Sequence, residues 1–230
     1  KDNDFNTFFY LGDDGQTLYR AKLSLNDKGE VELRNQLPIT DKRLSGIEEI
    51  IWSPNFELAL FRKKAGSSLF DFKKYDFITQ TETEWGSDIG SIAWSPDNSK
   101  IAYYYAPESG EKSLIFANLG NSEVNRMINL AEAGIENPIL RWSPDSEWLI
   151  LTPRNNSDYN ANKIWIFNAY TRELKELTDT GNQVDAIFSP DNNKIIYATY
   201  SRDPVNPVSA LLSITDKEGS DKRSLDLRAE

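Results

Sequence analysis

One six-residue pattern occurs four times without gaps and limits the fold more than any other feature of the chain. Its copies are Ile50-Ile51-Trp52-Ser53-Pro54-Asn55, Ile92-Ala93-Trp94-Ser95-Pro96-Asp97, Leu140-Arg141-Trp142-Ser143-Pro144-Asp145 and Ala186-Ile187-Phe188-Ser189-Pro190-Asp191. The prolines stand 42, 48 and 46 residues apart, so the 230 residues hold about five periods. A period near 45 is that of a four-stranded propeller blade, whereas a β-sandwich shows turns every 8–12 residues and no such long repeat. A single Ser-Pro-Asp is only a common turn. Four copies, each led by an aromatic and followed by a strand-like run, make a repeat.

Each copy is read as strand, turn, strand, loop, strand, turn, strand. Proline presets φ at the second turn position, and Asp or Asn tolerates the positions beside it. Second strands are expected at Glu57–Arg62, Lys100–Tyr105, Trp148–Thr152 and Lys194–Tyr200. Third strands are expected at Ser68–Phe72, Ser113–Asn118, Lys163–Asn168 and Ala210–Thr215. Fourth, more polar strands are expected at Phe77–Glu82, Glu123–Ile128, Glu173–Leu177 and Lys222–Leu227. These runs are rich in Ile, Tyr, Phe and Trp and are bounded by Gly, Asn, Asp and Pro. A four-stranded sheet with two apolar faces cannot bury both alone, and radial stacking covers each with a neighbour. Trp52, Trp94, Trp142 and Phe188 are therefore read as wedges between blades, each burying on the order of 150–250 Å².

Composition removes much chemistry. The chain has no His and no Cys. Disulfides, Cys or His nucleophiles and bases, His-containing triads and the usual zinc or haem sites are thereby excluded. Lys plus Arg number 26 against 36 Asp plus Glu, a formal charge of −10. Such a surface repels phosphate backbones and anionic membranes, so no nucleic-acid partner is expected. No run of about 18 apolar residues is present to span a membrane. The start, Lys1-Asp2-Asn3-Asp4, lacks Met and an apolar signal core, and is read as the start of a processed or trimmed chain from which a signal or anchor has been removed.

The Trp-Ser-Pro-Asp segments resemble the TolB-like, WD-related β-propeller repeat of bacterial envelope proteins. The same repeat is found in the propellers of prolyl-oligopeptidase-like enzymes and tricorn-like proteases. The usual form has Gly after the Asp; here Asn98, Ser146 and Asn192 stand there, and Asn55 replaces the first Asp. The resemblance runs from about Ile47 to the C-terminus. It implies the fold and not the function, because one fold hosts many functions.

The N-terminal unit departs from the pattern. Thr7–Leu11, Thr17–Leu25 and Val31–Leu37 read as three strands joined by Asp13-Asp14-Gly15 and Asn26-Asp27-Lys28-Gly29, with no Trp-Ser-Pro-Asp before them. This unit lacks or borrows its innermost strand. Two readings stand: closure with five blades, one of them irregular, or a fragment of a longer ring; five is favoured. The expected fold is thus an all-β propeller of four-stranded antiparallel blades, one domain over 1–230. The blades fall near 1–44, 45–86, 87–134, 135–180 and 181–230.

Meander topology sorts the loops between two faces. The Ser-Pro-Asp turns and the third-to-fourth connections share one, and their near identity leaves it little to recognise with. The other carries the variable loops Lys63–Ser67, Ala106–Glu111, Pro153–Asn162 and Ser201–Ser209, plus the connections into each first strand. Trp85, Asp88, Glu136, Arg154, Tyr159, Asp185 and Arg202 lie there and are the candidate partner-binding residues, with Trp85 as an exposed anchor. The competing reading is that these are solvated loops with Trp85 tucked under a neighbour.

Other suggestive segments are weaker. Asp2-Asn3-Asp4-Phe5-Asn6 opens like a calcium loop, but Thr7 stands where glycine is needed. Glu48–Glu49 and Glu82–Glu84 read as solvated surface, and Lys73–Lys74 is too short for a nucleic-acid stripe. The sialidase-type Ser-x-Asp-x-Gly-x-Thr-Trp box is absent, and no cofactor is expected. The favoured function is a non-catalytic, monomeric scaffold binding a protein or peptide in the periplasm or at the cell surface. A gating propeller cut from a prolyl-oligopeptidase-like peptidase and a carbohydrate-binding or carbohydrate-cleaving propeller are the alternatives. The former needs a downstream Gly-x-Ser-x-Gly segment that this chain does not contain.

Overall fold

The computed structural model describes residues 7–13, 16–40, 44, 46–64, 70–120, 122–152, 154, 163–178, 183–200 and 210–225. Every regular element among them is a strand in an antiparallel sheet. Thr7–Leu11 (β1), Leu18–Leu25 (β2) and Val31–Pro38 (β3) form a three-stranded sheet. Ile47–Trp52 (β4), Leu58–Lys64 (β5), Phe70–Asp76 (β6), Thr81–Trp94 (β7), Lys100–Tyr105 (β8), Ser113–Asn118 (β9) and Val124–Asn129 (β10) form a seven-stranded sheet in chain order. Ile139–Trp142 (β11), Trp148–Thr152 (β12), Trp165–Asn168 (β13) and Leu174–Glu176 (β14) form a four-stranded sheet. Gln183–Phe188 (β15), Ile195–Tyr200 (β16), Ala210–Thr215 (β17) and Arg223–Leu225 (β18) form another.

The repeated turn is one hydrogen-bonded device. The amides of Phe56, Asn98, Ser146 and Asn192 donate to the carbonyls of Ser53, Ser95, Ser143 and Ser189 at 2.9–3.0 Å. These four residues have φ near +60°. A type I turn closed by a left-handed residue joins strands with the right twist. That conformation is why glycine usually stands here, and why Asn or Ser can replace it. The serine hydroxyl locks the loop. Ser95 Oγ lies 2.5 Å from Asp97 Oδ1 and 2.9 Å from the Lys100 carbonyl, and accepts the Lys100 amide at 3.0 Å. The amides of Leu58, Trp148 and Lys194 donate in the same way to Ser53, Ser143 and Ser189.

Alternating side chains of the central strands enter alternating cores. Ile101 and Tyr103 of β8, with Ile115 and Ala117 of β9, face Leu60, Phe72 and Trp94. Ala102, Tyr104, Leu114 and Phe116 face the other way, onto Trp142, Leu149, Leu151 and Phe167. Ile150 and Ile166 then meet Ala186, Ile195 and Tyr197 of the last sheet. Leu18 of the first sheet packs with Ala59, Phe61 and Tyr75. Strands buried on both faces need near-continuous apolar sequence, as Leu149-Ile150-Leu151 provides.

The Trp positions wedge these layers, as the repeat predicts. Trp94 and Trp142 are buried, and the indole N–H of each donates to a carbonyl of the preceding repeat: Ile51 at 3.0 Å and Ala93 at 3.1 Å. At about 25 cal/mol per Å², burying such a ring contributes roughly 4–6 kcal/mol. Phe188 has no N–H. At that junction Arg141 reaches across, pairing with Asp185 and donating to the Ala186 carbonyl at 3.5 Å.

The expected strands Lys100–Tyr105, Ser113–Asn118, Trp148–Thr152 and Ala210–Thr215 coincide with β8, β9, β12 and β17. The second repeat departs from expectation. Its third strand is Phe70–Asp76, and residues 77–80 turn instead of opening a fourth strand. The cause is Asp76, whose Oδ1 accepts the amides of Ile78 and Thr79 at 2.9 Å and ends the strand. The next strand, β7, runs unbroken for 14 residues. Its first half pairs with β6 and its second with β8, so it serves two repeats. Its halves bend at Gly86–Gly90, with Asp88 at φ 57°. A Cβ on Gly90 would lie 2.8 Å from Tyr104 Cδ1 and against the Asn137 side chain.

Candidate functional site

The loop face carries the candidate residues, and three corrections follow from the geometry. Trp85 is 5% exposed and not an anchor. It packs with Leu60, Phe72, Ile89 and Trp94, and its ring meets Tyr103 edge-on at 5.3 Å. Alternation along β7 turns Trp85 inward, and a turn-bounded reading of this segment hides that. Asp88 likewise lies within β7, where its carbonyl accepts the Ala106 amide at 2.9 Å. Glu48–Glu49 and Glu82–Glu84 are not merely solvated. Arg62 Nη1 is 2.7 Å from Glu49 and its Nε 3.9 Å from Glu48, while Lys73 binds Glu82 at 2.8 Å and Glu84 at 2.9 Å.

Glu136 is exposed and pairs with Lys112. Asp88 and Glu136 therefore flank one loop, from Ala106 to Lys112. Asp185 binds Arg141 across β11 and β15, with Nη2 to Oδ2 at 3.1 Å. Arg154 is half-buried beyond the end of β12. Burial pulls its guanidinium below the ordinary arginine range, repulsion from Arg62 adds to this, and Glu49 opposes it. The structure thus brings Arg154, Arg62 and Glu49 within reach of one another's charge, from different repeats. Tyr159, Arg202, the calcium-like segment 2–6, the Asp14-Gly15 pair and most of the loops 153–162 and 201–209 lie outside the described residues.

Arg62 and Arg141 are absent from the sequence-derived set. Their partners sit across a strand ladder or a junction between repeats, so only register reveals them; Glu49 stands opposite Arg62 beside a bulge. Among the described residues, no group of three or more acidic side chains is arranged to hold a metal ion. Among the described residues, what the loop face offers is charge, with the buried Nε atoms of Arg62 and Arg154 making no hydrogen bond.

The opposite side of the first junction holds a cleft of about 600 Å³, lined by Phe9, Arg20, Leu37, Pro38, Ile39, Phe56, Phe77 and Gln80. Phe56 is 54% exposed, at the left-handed turn position that Asn or Ser occupies in the other copies.

Antiparallel sheets packed face to face in series, each wedged by an aromatic at the Ser-Pro turn, define a β-propeller-like fold. The solved structures similar to this chain have that fold. TolB from Acinetobacter baumannii matches 92% of the chain and 52% of its own length, at 18% identity and a TM-score of 0.59. Kuenenia stuttgartiensis hydrazine synthase matches 97% of the chain and 64% of its own, at 15% identity and 0.60. Oligogalacturonate lyase from Vibrio parahaemolyticus matches 96% and 62%, at 14% identity and 0.62. The chain thus spans between half and two thirds of the length of each. No family model matches the sequence, and no curated protein matches it either. These likenesses carry the TolB-like propeller fold alone.

Proposed function

We propose that this chain is a non-catalytic, monomeric β-propeller module of five units that holds a protein or peptide partner on its loop face. We place it in the periplasm or at the surface of a bacterial cell. One observation carries the reading: the two faces are built differently. On the turn face, the serine hydroxyls of the repeated turns bond within their own loops. On the loop face, Arg154 has a buried Nε without a hydrogen-bond partner, between loops of unequal length.

The count of five is supported by Asn26. Its Oδ1 accepts the amides of Lys28 and Glu30 at 2.9 Å between β2 and β3. Asp76, Asn118, Asn168 and Asp216 cap third-to-fourth turns in the same way. The first sheet then corresponds to strands two to four of a unit, with no first strand paired to it among the described residues. The peptidase-gating and carbohydrate readings rest on likeness of fold alone.

The test is cross-linking of the whole protein to bacterial envelope extract, with mass spectrometry of what is captured. Replacing Glu136 and Arg154 with Ala is expected to remove the partner, while Asn192→Ala on the turn face leaves it. Equal capture by all three overturns the assignment of the face.

A further inference from the structure

We propose that the inner edge of the first sheet takes up a strand from another polypeptide, an extended apolar segment laid antiparallel to β1 beside Trp52. The site is on β1 and not on the loop face, so it goes beyond the reading above. Each later repeat opens on a strand that ends in an aromatic and pairs with the strand after it: β4 with β5, the second half of β7 with β8, β11 with β12 and β15 with β16. In the first sheet β1 holds the second-strand position, and among the described residues nothing pairs with its other edge. Phe9 and Leu11 turn their amides and carbonyls to that edge. The Leu18 carbonyl accepts the Ile39 amide on the β3 side, so Tyr19 turns to β1, and Tyr10 opposite it turns to β2. Such a row of backbone groups is a template for one more strand.

Trp52 marks where that strand lies. The indole N–H of Trp94 donates to the carbonyl just before Trp52, and that of Trp142 to the carbonyl just before Trp94. Counted one repeat back, the acceptor for Trp52 is the penultimate carbonyl of a first strand. Trp94 and Trp142 are buried, whereas Trp52 is half-buried, against Phe9 at 4.6 Å and Phe77 at 5.0 Å. An added strand covers the ring and accepts its N–H.

Length and the turn residue fix the source. A first strand with its turn takes residues 47–57, eleven in all, and six residues precede Thr7. Five follow Leu225, fewer than one first strand such as β4 or β15, each of six. In later repeats the left-handed turn residue is polar and bonds to the turn before it: Ser146 Oγ accepts the Asp97 amide at 3.0 Å, and Asn192 bonds to Asp145. In the second repeat it is Phe56, 54% exposed, with no group for such a bond. The added strand therefore ends beside Phe56, with no Ser-Pro turn leading into β1, as a strand of a separate chain does. Its chemistry follows Ile92-Ala93-Trp94: small or apolar residues closed by an aromatic, with no proline before it to break the ladder.

The test uses the whole chain, isotopically labelled, and the peptide Lys-Lys-Gly-Ser-Ile-Ala-Trp-Ser, blocked at both ends, whose last six residues copy residues 90–95. Amide exchange is read by NMR. Before addition, Phe9 and Leu11 are expected to exchange faster than Phe8 and Tyr10, which pair with β2. Saturating peptide is expected to slow Phe9 and Leu11 about tenfold or more and to move the Trp52 indole N–H signal. The same peptide with Pro-Pro for Ile-Ala is expected to do neither. Trp52→Phe is expected to weaken binding about three- to tenfold by removing one hydrogen bond, and Trp94→Phe to leave it unchanged, with thermal melts of both variants reporting intact folding. Equal effects of the two peptides, or no effect of either, overturn the site. Slow exchange of Phe9 and Leu11 before any peptide is added means that the edge is already filled, and overturns it too. Protection that grows with protein concentration alone gives the edge to a second copy and overturns the separate partner. Loss of partner capture in the Glu136 and Arg154 variants, with no peptide effect at β1, removes this site and leaves the loop-face reading intact.

Discussion

At the scale of the residue, the repeat is a hydroxyl. Ser95 is fully buried, and its Oγ serves the Lys100 amide and one of two acceptors. Ser95→Ala leaves these groups unsatisfied beside a wall that water cannot reach. The expected loss is about 1–3 kcal/mol, measured as a lower urea midpoint. Ser189, in the last and less buried turn, is expected to lose less when changed to Ala. An equal loss at both would mean that the turn matters only for its backbone. The turn was legible because Pro and Asx fix its geometry in any context. Phe56 was not, since an aromatic at a left-handed position contradicts local preference and is held by contacts with Phe9 at 5.5 Å and Trp52 at 6.1 Å. Arg154 was legible as a loop arginine; that its Nε is buried is a fact of three dimensions.

At the scale of the element, β7 is the informative failure of sequence reading. Polar Thr81–Glu84 reads as the end of one unit, and Trp85–Gly90 as a loop into the next. Both halves instead join one strand, because Gly86 and Gly90 let it bend while its amides keep pairing. Gly90 has no positive φ, so its role is spatial: an added methyl would press on Tyr104 and Asn137. Gly90→Ala is expected to destabilise by about 1–3 kcal/mol, the usual effect of overpacking. Gly86→Ala should cost less, since the nearest atom is the flexible end of Ile89 at 3.0 Å. Urea denaturation of the two variants checks the order; a larger loss at Gly86 contradicts it. The strands β8, β9 and β12 were placed to the residue because runs buried on both faces leave little ambiguity of register.

At the scale of the molecule, acid is the sharpest probe. Several turn carboxylates are held below the ordinary Asp value. In Asp76 the Thr79 amide leads. In Asp97 burial pushes upward but is outweighed by hydrogen bonds from Ser95 and Ser99. In Asp191 the Ser189 hydroxyl leads, and Asp221, bound first by Arg223 and then by Lys194, falls to about 2. A folded value below the unfolded one stabilises fully above about pH 4, and this is lost as pH falls toward 2. Relief of the net charge of −10 acts the other way. With no histidine, the urea midpoint is expected to be flat from pH 8 to 5 and then to fall below about 4. A midpoint that rises in that range would mean self-repulsion outweighs the turns. The serial arrangement of sheets was legible from the period, whereas the charge pairs between repeats were not, because nothing in one repeat announces its neighbour.

The unbroken β7 also has a mechanical meaning. Between β10 and β11 the chain passes from one sheet to the next through residues 130–138, which belong to neither sheet. Between the second and third repeats tension meets one continuous strand, paired first with β6 and then with β8. Those two repeats therefore share one fate under load, and the seam at residues 130–138 yields before they part.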